Sequence, residues 1–249
     1  MSSALTIDNL SVSRGRCQVL QGLNLSLNRG EMVALVGPNG SGKTTLLESI
    51  AGLCPLQTGD IRIDGFSLGE QLVEARGRLG FMVPAEQIPD LLTGRQCLQL
   101  FARSRGLSDI PARTWEQAEQ LRFTGWVDQM TMSYSLGTRQ KLSILLALLN
   151  STPLILLDEP LNGLDPVSAL ALKRLLTELA EQQDCCIVMA IHDLSVIEQL
   201  HHHVLVLLDG RIVLNWDQAR IDQELSRSSR PLEEVIVGVL EEASDQPNP

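Results

Sequence analysis

Residues 37–44, which read GPNGSGKT, decide the fold of this 249-residue chain. They match the pattern G-x-x-x-x-G-K-[ST] in the setting that the pattern requires. The apolar run 33–36 (VALV) precedes them, and a helical pattern starts near Lys43 and stops at Gly52. A strand, a glycine-rich turn and a helix in this order form a phosphate-binding loop. The sequence therefore predicts an α/β nucleotide-binding core.

Each residue type in this loop has a physical reason. Gly37, Gly40 and Gly42 let the backbone curl so that successive N–H groups point at one anion. Lys43 is expected to reach the β- and γ-phosphates, and the Thr44 hydroxyl is a ligand for Mg²⁺. The other loop positions expected at the phosphates are Pro38, Asn39, Ser41 and Thr45. The loop therefore predicts that the chain binds a nucleoside triphosphate with Mg²⁺.

Acidic residues and a histidine follow two further apolar runs. Residues 154–157 read LILL, which is typical of a strand buried on both faces of a parallel sheet. Asp158 and Glu159 follow at the carboxyl end, where such sheets bind ligands. Asp158 resembles an Mg²⁺-holding acid, and Glu159 is a candidate to polarise an attacking water. The run 185–191 ends at His192, whose imidazole is a candidate to contact the γ-phosphate and Glu159.

Composition argues against several classes of function. The formal net charge is −10, whereas nucleic-acid binders usually show a basic surface, so we expect no nucleic-acid partner. The first ten residues, MSSALTIDNL, lack the basic-then-apolar layout of a signal peptide. The apolar region 142–157 is interrupted by polar residues and proline, so it falls short of a membrane-spanning helix. We therefore expect no membrane crossing by this chain.

The cysteines and a histidine triplet favour neither a disulfide framework nor a metal site. No two cysteines form a C-x-x-C pair, so we expect buried free thiols in a reducing compartment. The cysteines are Cys17, Cys54, Cys97, Cys185 and Cys186. Three consecutive side chains do not converge on one ion from a helix or a strand. We therefore expect His201, His202 and His203 to lie on the surface.

Two further stretches complete an ordered set of motifs. Residues 134–141 read YSLGTRQK and open a long apolar helix pattern, and residues 162–165 read NGLD. The order GPNGSGKT, YSLGTRQK, LILLDEP, NGLD and a strand-end histidine resembles the nucleotide-binding subunit of ATP-binding-cassette (ABC) transporters over essentially the whole chain. The resemblance implies an ATPase, with ATP as substrate and Mg²⁺ as cofactor.

The resemblance also implies a role for each of five residues. Ser135 and Gly137 fall on the family's signature motif, which contacts the γ-phosphate bound to the opposite subunit, and a helix N-terminus suits such an anion. Asp165 would lie in a loop that crosses the dimer interface. Glu159 would be the general base, and His192 would sense the γ-phosphate. Hydrolysis would then depend on positioning and electrostatic stabilisation.

The partners follow from the same resemblance. It implies a second ABC subunit, in a homo- or heterodimer, and a transmembrane permease on a separate chain. The location would be cytoplasmic, peripheral to the membrane through that permease, and ATP-driven dimer closure would energise transport. The alternative is a soluble, non-transport ABC ATPase such as an iron–sulfur assembly-type subunit. A GTPase is disfavoured because the chain has no N-K-x-D motif.

Two positions depart from the family pattern. The family usually places an aromatic residue near the N-terminus to stack on adenine, and Arg14 stands nearest to that place, where a guanidinium could also stack. The family also has a glutamine after the strand that here reads LGFMVP, and its place falls on Pro84 or Ala85. Either Gln87 reaches the site through a longer loop, or this contact is missing.

The signature motif and the C-terminal region are similar to those of one branch of the family. Leu136 and Thr138 stand where Gly and Gln are commoner, and the form S-x-G followed by TRQK resembles the exporter branch called ABC-2. Residues 230–243, RPLEEVIVGVLEEA, are similar to the terminal helix of that branch. Import and export both stay open.

The predicted fold class is α/β, with a P-loop NTPase core. A mixed or parallel sheet is flanked by helices and accompanied by an N-terminal antiparallel β portion and a helical sub-domain. We expect one ABC ATPase domain over residues 1–249. Within it, the helical sub-domain with the signature motif takes approximately residues 88–140, and a C-terminal helical tail takes approximately residues 218–249.

Overall fold

Helices and two sheets make up the computed structural model, which describes residues 3–183, 185–192, 203–228 and 231–244. The strands are β1 (Ser3–Arg14), β2 (Cys17–Asn28), β3 (Met32–Val36), β4 (Thr58–Ile63), β5 (Phe66–Ser67), β6 (Leu79–Phe81), β7 (Leu154–Asp158), β8 (Cys186–Ala190), β9 (His203–Leu208) and β10 (Arg211–Asp217). The α-helices are α1 (Lys43–Ile50), α2 (Leu72–Gly77), α3 (Gly94–Ser104), α4 (Ala112–Gln120), α5 (Leu136–Leu148), α6 (Pro166–Gln183), α7 (Gln218–Ser228) and α8 (Leu232–Ser244). Short 3₁₀ turns lie at Ala85–Gln87, Thr124–Trp126 and Thr131–Ser133.

The two sheets differ in direction. The N-terminal sheet has the order β2-β1-β4-β5 and is antiparallel. The central sheet has the order β10-β9-β3-β8-β7-β6, and all its neighbours pair in parallel except β10, which runs antiparallel at one edge. The predicted fold class is therefore confirmed, including the antiparallel N-terminal portion and the mixed central sheet.

The central sheet carries a hydrophobic core on each face. Along β3, Ala34 and Val36 pack with the helices α3, α5 and α6, whereas Val33 and Leu35 pack with α1 and the antiparallel sheet. This alternation follows from the two-residue period of a strand. Each buried aliphatic side chain contributes about 1.5–3 kcal/mol relative to exposure. The two cores hold the carboxyl ends of β3, β7 and β8 at one edge of the sheet.

Two hairpin turns predicted from Asp-Gly pairs are present. Asp64 and Gly65 connect β4 to β5 with φ values of 51° and 85°, and Asp209 and Gly210 connect β9 to β10 with values of 47° and 73°. Positive φ at both central residues is the geometry that tight hairpins require. Gly210 also donates its N–H to the Ser41 carbonyl at 3.1 Å. The second hairpin therefore supports the underside of the predicted phosphate loop.

Helices occupy the two regions assigned to the sub-domain and the tail. Helices α3 and α4 and the first residues of α5 lie within residues 88–140, and α7 and α8 lie within residues 218–249. Leu232 and Ile236 of α8 are fully buried against the helix-covered face of the central sheet. The boundaries of the sub-domain and of the tail stay predictions. In the part of the chain that the structure describes, no helix combines the length and the apolar character needed to span a bilayer.

Two predictions about burial are wrong in part. Cys97, Cys185 and Cys186 are buried, but Cys17 is exposed and Cys54 is half-buried. Cys17 begins β2, an edge strand of the antiparallel sheet, which leaves it open to solvent.

His203 is also an exception, because it is only 7% exposed and not on the surface. It begins β9 and pairs in register with Val33 in the interior of the sheet. The predictions for His201 and His202 fall outside the described residues.

The buried His203 has acceptors at both ring nitrogens. Nδ1 lies 3.2 Å from Oε2 of Glu31, and Nε2 lies 2.5 Å from Oδ1 of Asn215. Burial opposes the charged imidazole, but the hydrogen bonds to Glu31 and Asn215 outweigh it and raise the pKa of His203. Burial likewise opposes the charge of Glu31, whereas hydrogen bonds from His203 and Asn28 lower its pKa. The pair joins the start of β9 to the start of β3.

Protein stability is therefore expected to depend on pH through His203. A group whose pKa is raised by folding stabilises the fold fully below its unfolded pKa, here 6.5, and this contribution is lost as pH rises through the folded pKa. At the acid end, the contribution of Glu31 is lost as pH falls below 4.5 through its lowered pKa. In urea unfolding, the free energy of unfolding of wild type should exceed that of His203→Gln most strongly between pH 4.5 and pH 6.5. The difference should be smaller in alkaline buffer. A difference independent of pH would contradict the charged pair.

Candidate functional site

The predicted phosphate loop connects β3 to α1 in a conformation that depends on its glycines. Gly40 and Gly42 have φ values of 83° and 108°, where residues with a Cβ are strained. A Cβ on Gly37 would lie 2.1 Å from the Leu207 carbonyl oxygen. Gly42 precedes the first residue of α1, so the loop opens on a helix N-terminus. This is the arrangement that binds phosphate.

Lys43 is buried inside this loop and is held by backbone oxygens. Its Nζ donates to the carbonyls of Gly37 at 2.6 Å and Pro38 at 3.2 Å. Ser41 Oγ is also buried, and among the described residues it has no hydrogen-bond partner. A buried hydroxyl without a partner costs free energy unless a ligand satisfies it. The loop therefore offers an ammonium and a hydroxyl group to an anion.

Thr44 and Asp158 bring two oxygen ligands together from different elements. Thr44 is the second residue of α1, and Asp158 is the last residue of β7. Thr44 Oγ1 donates to Asp158 Oδ2 at 2.7 Å. A hydroxyl and a carboxylate are among the ligands that Mg²⁺ prefers. Both residues therefore fit the predicted cation.

Glu159 has an unusual backbone conformation and a close partner. Its φ is 49°, in the left-handed region, and its N–H donates to the Ala190 carbonyl at 3.0 Å. Its Oε2 lies 2.6 Å from Nδ1 of His192, at the end of the neighbouring strand β8. The Glu159 side chain is 27% exposed, so both solvent and a ligand can reach it. The structure thus brings together the two residues predicted for catalysis.

One cavity of about 500 Å³ joins these groups. Its volume lies in the usual range for small-molecule sites. The predicted site residues that line it are Asn39, Gly40, Gly42, Lys43, Thr44, Thr45, Asp158 and Glu159. The lining also includes Leu136 and residues to which the sequence assigned no individual role, among them Val19, Glu48, Gln140 and Asn162. A cavity of this size beside a phosphate-binding loop suits a small-molecule ligand.

Arg14 lies beside this cavity and bonds to its wall. Its guanidinium contacts the carboxylate of Glu48, and its Nη2 lies 3.7 Å from Sγ of Cys54. Val19 and Glu48 form the lining on this side. Burial and the nearby Glu48 carboxylate raise the pKa of the Cys54 thiol, which keeps it protonated. In this structure the guanidinium is paired with Glu48, and its stacking on adenine stays a prediction.

The loop after β6 places Glu86, rather than Gln87, at the cavity. In the described residues the lining runs through Pro84, Ala85 and Glu86. Gln87 ends the short 3₁₀ turn, and its N–H donates to the Pro84 carbonyl at 2.9 Å. Residues 85–87 thus form a compact turn, and the alternatives of a longer loop or a missing glutamine contact stay open. In the described residues, Glu86 lines the cavity and Gln87 does not.

The signature residues lie on the outer side of this site. Ser135 is exposed and caps α5, because its Oγ accepts from the Thr138 N–H at 3.2 Å. Gly137 lies so close to the loop after Glu159 that a Cβ there would be 2.3 Å from the Gly163 carbonyl oxygen. Leu136 and Gln140 of α5 line the cavity, whereas Ser135 and Gly137 do not.

Asp165 caps the next helix, α6. Oδ1 accepts from the N–H groups of Val167 at 3.1 Å and Ser168 at 3.0 Å, and Oδ2 accepts from the Ser168 hydroxyl at 2.6 Å. Lys141 Nζ lies 3.4 Å from Oδ2. The hydrogen bonds from Ser168, followed by Lys141, hold the pKa of Asp165 well below its usual range, so the group stays ionised.

Comparison with known proteins gives one consistent family. The pattern described as "ABC transporter" matches residues 20–162. The uncharacterized ABC transporter ATP-binding protein YdbJ of Bacillus subtilis (strain 168) is 34% identical over 90% of this chain and 72% of the relative. The bacitracin transport ATP-binding protein BcrA of Bacillus licheniformis is 32% identical over 86% of this chain and 69% of the relative.

A solved structure agrees with the sequence relatives. The chain superimposes on an ATP-binding subunit of an ABC transporter with a TM-score of 0.85 and 28% identity, over 95% of this chain and 99% of that one. The family model, the relatives and the solved structure agree on one family. The chain therefore belongs to the ABC transporter family of ATP-binding proteins and is an ATPase.

Proposed function

We propose that this chain is the ATP-hydrolysing subunit of an ABC transporter, and that ATP-driven closure of a dimer energises a separate transmembrane permease. The observation that carries the proposal is that the phosphate-loop and acidic residues line the cavity, whereas the signature serine does not. Lys43, Thr44, Asp158 and Glu159 line a single cavity, whereas Ser135, the N-cap of α5, is exposed and is not part of that lining. The ATP bound in the cavity of one subunit would then be contacted by Ser135 of a second subunit.

The cavity residues divide the chemistry of hydrolysis among them. Lys43 moves from the loop carbonyls to the β- and γ-phosphates, and Ser41 and the loop N–H groups bind the remaining oxygens. Thr44 and Asp158 would hold Mg²⁺, which neutralises phosphate charge when it is bound. Glu159 orients and deprotonates the attacking water. His192, bonded to Glu159 through Nδ1, offers Nε2 to the γ-phosphate.

The second subunit is proposed from the surface around Ser135. Leu136, Val167 and Leu170 are each at least half exposed, and Leu136 packs against Gly163 of the loop that precedes α6. Exposed apolar side chains beside a helix N-terminus are typical of an interaction surface that also binds an anion. We assign this surface to the partner's bound ATP, with Asp165 in the loop between the two sites.

The transport role is supported by relatives rather than by a contact in this chain. BcrA is named for bacitracin transport, and the curated relatives are covered over about 70% of their length. We infer a cytoplasmic chain that reaches the membrane through its permease. The alternative, a soluble assembly-type ABC ATPase, would use the same site without a membrane partner.

Co-purification separates these two functions. The tagged chain should be recovered from detergent-solubilised membranes with one polytopic protein, in a fixed ratio that survives gel filtration. Purification from the soluble fraction provides the comparison. A stable complex found only there, with soluble proteins, would overturn the transport assignment and leave the ATPase intact.

The loop after β6 gives a prediction that distinguishes two neighbouring residues. Glu86→Ala is expected to lower kcat roughly 10-fold, less than the loss of a general base, because Glu86 lines the cavity where the water and Mg²⁺ would lie. Gln87→Ala is expected to leave kcat within about twofold, since its backbone already closes the turn. Steady-state phosphate release measures both. The reverse order of effects would show that Gln87 takes the family's glutamine role.

A further inference from the structure

Gln140 is a buried polar side chain that reaches the backbone of Glu159. It lies on α5, five residues after Ser135, and is 6% exposed. Its Nε2 donates to the Glu159 carbonyl oxygen at 2.8 Å, across 19 residues of sequence. The carbonyl can only accept, so the orientation of the amide group is fixed by this bond. A buried amide directed at one backbone atom calls for an explanation.

The residue that it holds has a strained backbone. Left-handed φ in a residue other than glycine costs about 1–3 kcal/mol and persists only where the surroundings impose it. Glu159, with φ at 49°, is held on both sides of its Cα. Its N–H is bonded to Ala190, and its carbonyl accepts from the Asn162 N–H at 3.1 Å as well as from Gln140. These bonds set the direction in which the carboxylate leaves the main chain.

Two further contacts join α5 to the same loop. Gly137 lies against the Gly163 carbonyl at a distance that only glycine permits, and Lys141 forms an ion pair with Asp165 at 3.4 Å. Gln140 thus belongs to a row of contacts along one face of α5, from the first turn to the second. The loop that carries Glu159 is attached to the helix at several points. A rigid attachment is what a catalytic group requires to keep its geometry.

We propose that Gln140 is a positioning residue for hydrolysis, which holds Glu159 in its left-handed conformation and so aims the carboxylate at the attacking water. This inference rests on the proposed role of Glu159 as general base. Gln140 lines the cavity, and it acts on hydrolysis through the bond from its amide nitrogen to the Glu159 carbonyl. Since α5 also carries Ser135, the same side chain links the signature helix to the base of its own subunit.

The test replaces Gln140 by methionine, which keeps the length and removes the donor. The Glu159 carbonyl keeps its bond from Asn162, so the fold should survive. Because a misplacement of about 1 Å costs on the order of 100-fold in rate, kcat should fall by about 10- to 100-fold. The equilibrium Kd for Mg-ATP should stay within about twofold. Gln117→Met, at a buried glutamine on α4 away from the cavity, should leave kcat unchanged.

A double-mutant cycle that combines Gln140→Met with Glu159→Gln tests whether Gln140 acts through the Glu159 carboxylate. If Gln140 acts by aiming the carboxylate, Gln140→Met should change the residual rate of Glu159→Gln by less than about threefold, because the aimed group is already gone. Equal effects in both backgrounds would overturn the inference, as would a rise in Kd without a fall in kcat. If Glu159→Gln itself hydrolyses at the wild-type rate, the role of Glu159 fails first, and this inference falls with it.

Discussion

Glu159→Gln is expected to lower ATP hydrolysis at least ~100-fold while ATP binding is retained, because the change removes the general base and keeps the shape of the side chain. Glu159 lines the cavity, its carboxylate lies 2.6 Å from His192, and its backbone is fixed by hydrogen bonds on both sides. An amide accepts hydrogen bonds but does not take the proton of water. Single-turnover hydrolysis and equilibrium binding of Mg-ATP, measured on the same preparation, separate the two steps.

The matched control is Glu181→Gln, which makes the same chemical change at an exposed position near the end of α6. Its hydrolysis rate should equal that of wild type. A Glu159→Gln chain with unchanged turnover would remove this residue from the base role and would point to another group in the cavity.

Lys43→Ala is expected to weaken ATP binding by roughly 30- to 4,000-fold. The Lys43 ammonium is buried and lies on the carbonyls of Gly37 and Pro38, so it is poised at the point where the phosphates enter the loop. Truncation of one partner in a buried, hydrogen-bonded charge pair costs about 2–5 kcal/mol. Since about 1.4 kcal/mol corresponds to tenfold in Kd, this cost corresponds to a rise in Kd of roughly 30- to 4,000-fold.

Titration of a fluorescent ATP analogue, followed by competition with ATP, measures the effect of Lys43→Ala. Lys173→Ala on α6 is the control, because it removes the same charge from the chain away from the cavity and should leave Kd unchanged. Similar Kd values for wild type and Lys43→Ala would mean that the triphosphate does not lie in the loop 37–44.

Local patterns predicted most of the fold. The loop 37–44 and the Asp-Gly turns depend on backbone conformations that few residue types adopt, so their sequences are diagnostic. The strands β7 and β8 are continuous apolar runs because both of their faces are covered. The carboxyl ends of these neighbouring strands then bring Glu159 and His192 together, as the order of motifs predicted.

Long-range contacts account for what the sequence left out. Gln140 lies within YSLGTRQK without an assigned role, and only the packing of α5 on the loop after β7 gives it a partner. Glu48 lines the cavity and pairs with Arg14, which is 34 residues away in sequence, so no local pattern indicates the contact. The pattern HHHV does not show that β9 begins at His203, so the sequence alone predicts this residue on the surface. In each case the deciding partner lies on a different element.

The most direct test of a site shared between two chains is complementation between two defective variants. Ser135→Arg blocks the signature surface, and Lys43→Ala disables the phosphate loop. In a mixed dimer of the two, one composite site has both defects, and the other has an intact loop from one chain and an intact Ser135 from its partner. The Kd for Mg-ATP of this mixed dimer, isolated with two affinity tags, is compared with that of the Ser135→Arg dimer.

The account predicts that the mixed dimer binds one ATP with the affinity of wild type, even though neither variant does so alone. A mixed dimer that binds ATP no more tightly than the Ser135→Arg dimer would contradict it. Each nucleotide would then be bound within a single chain, and Ser135 would have no part in gripping the phosphate of its partner.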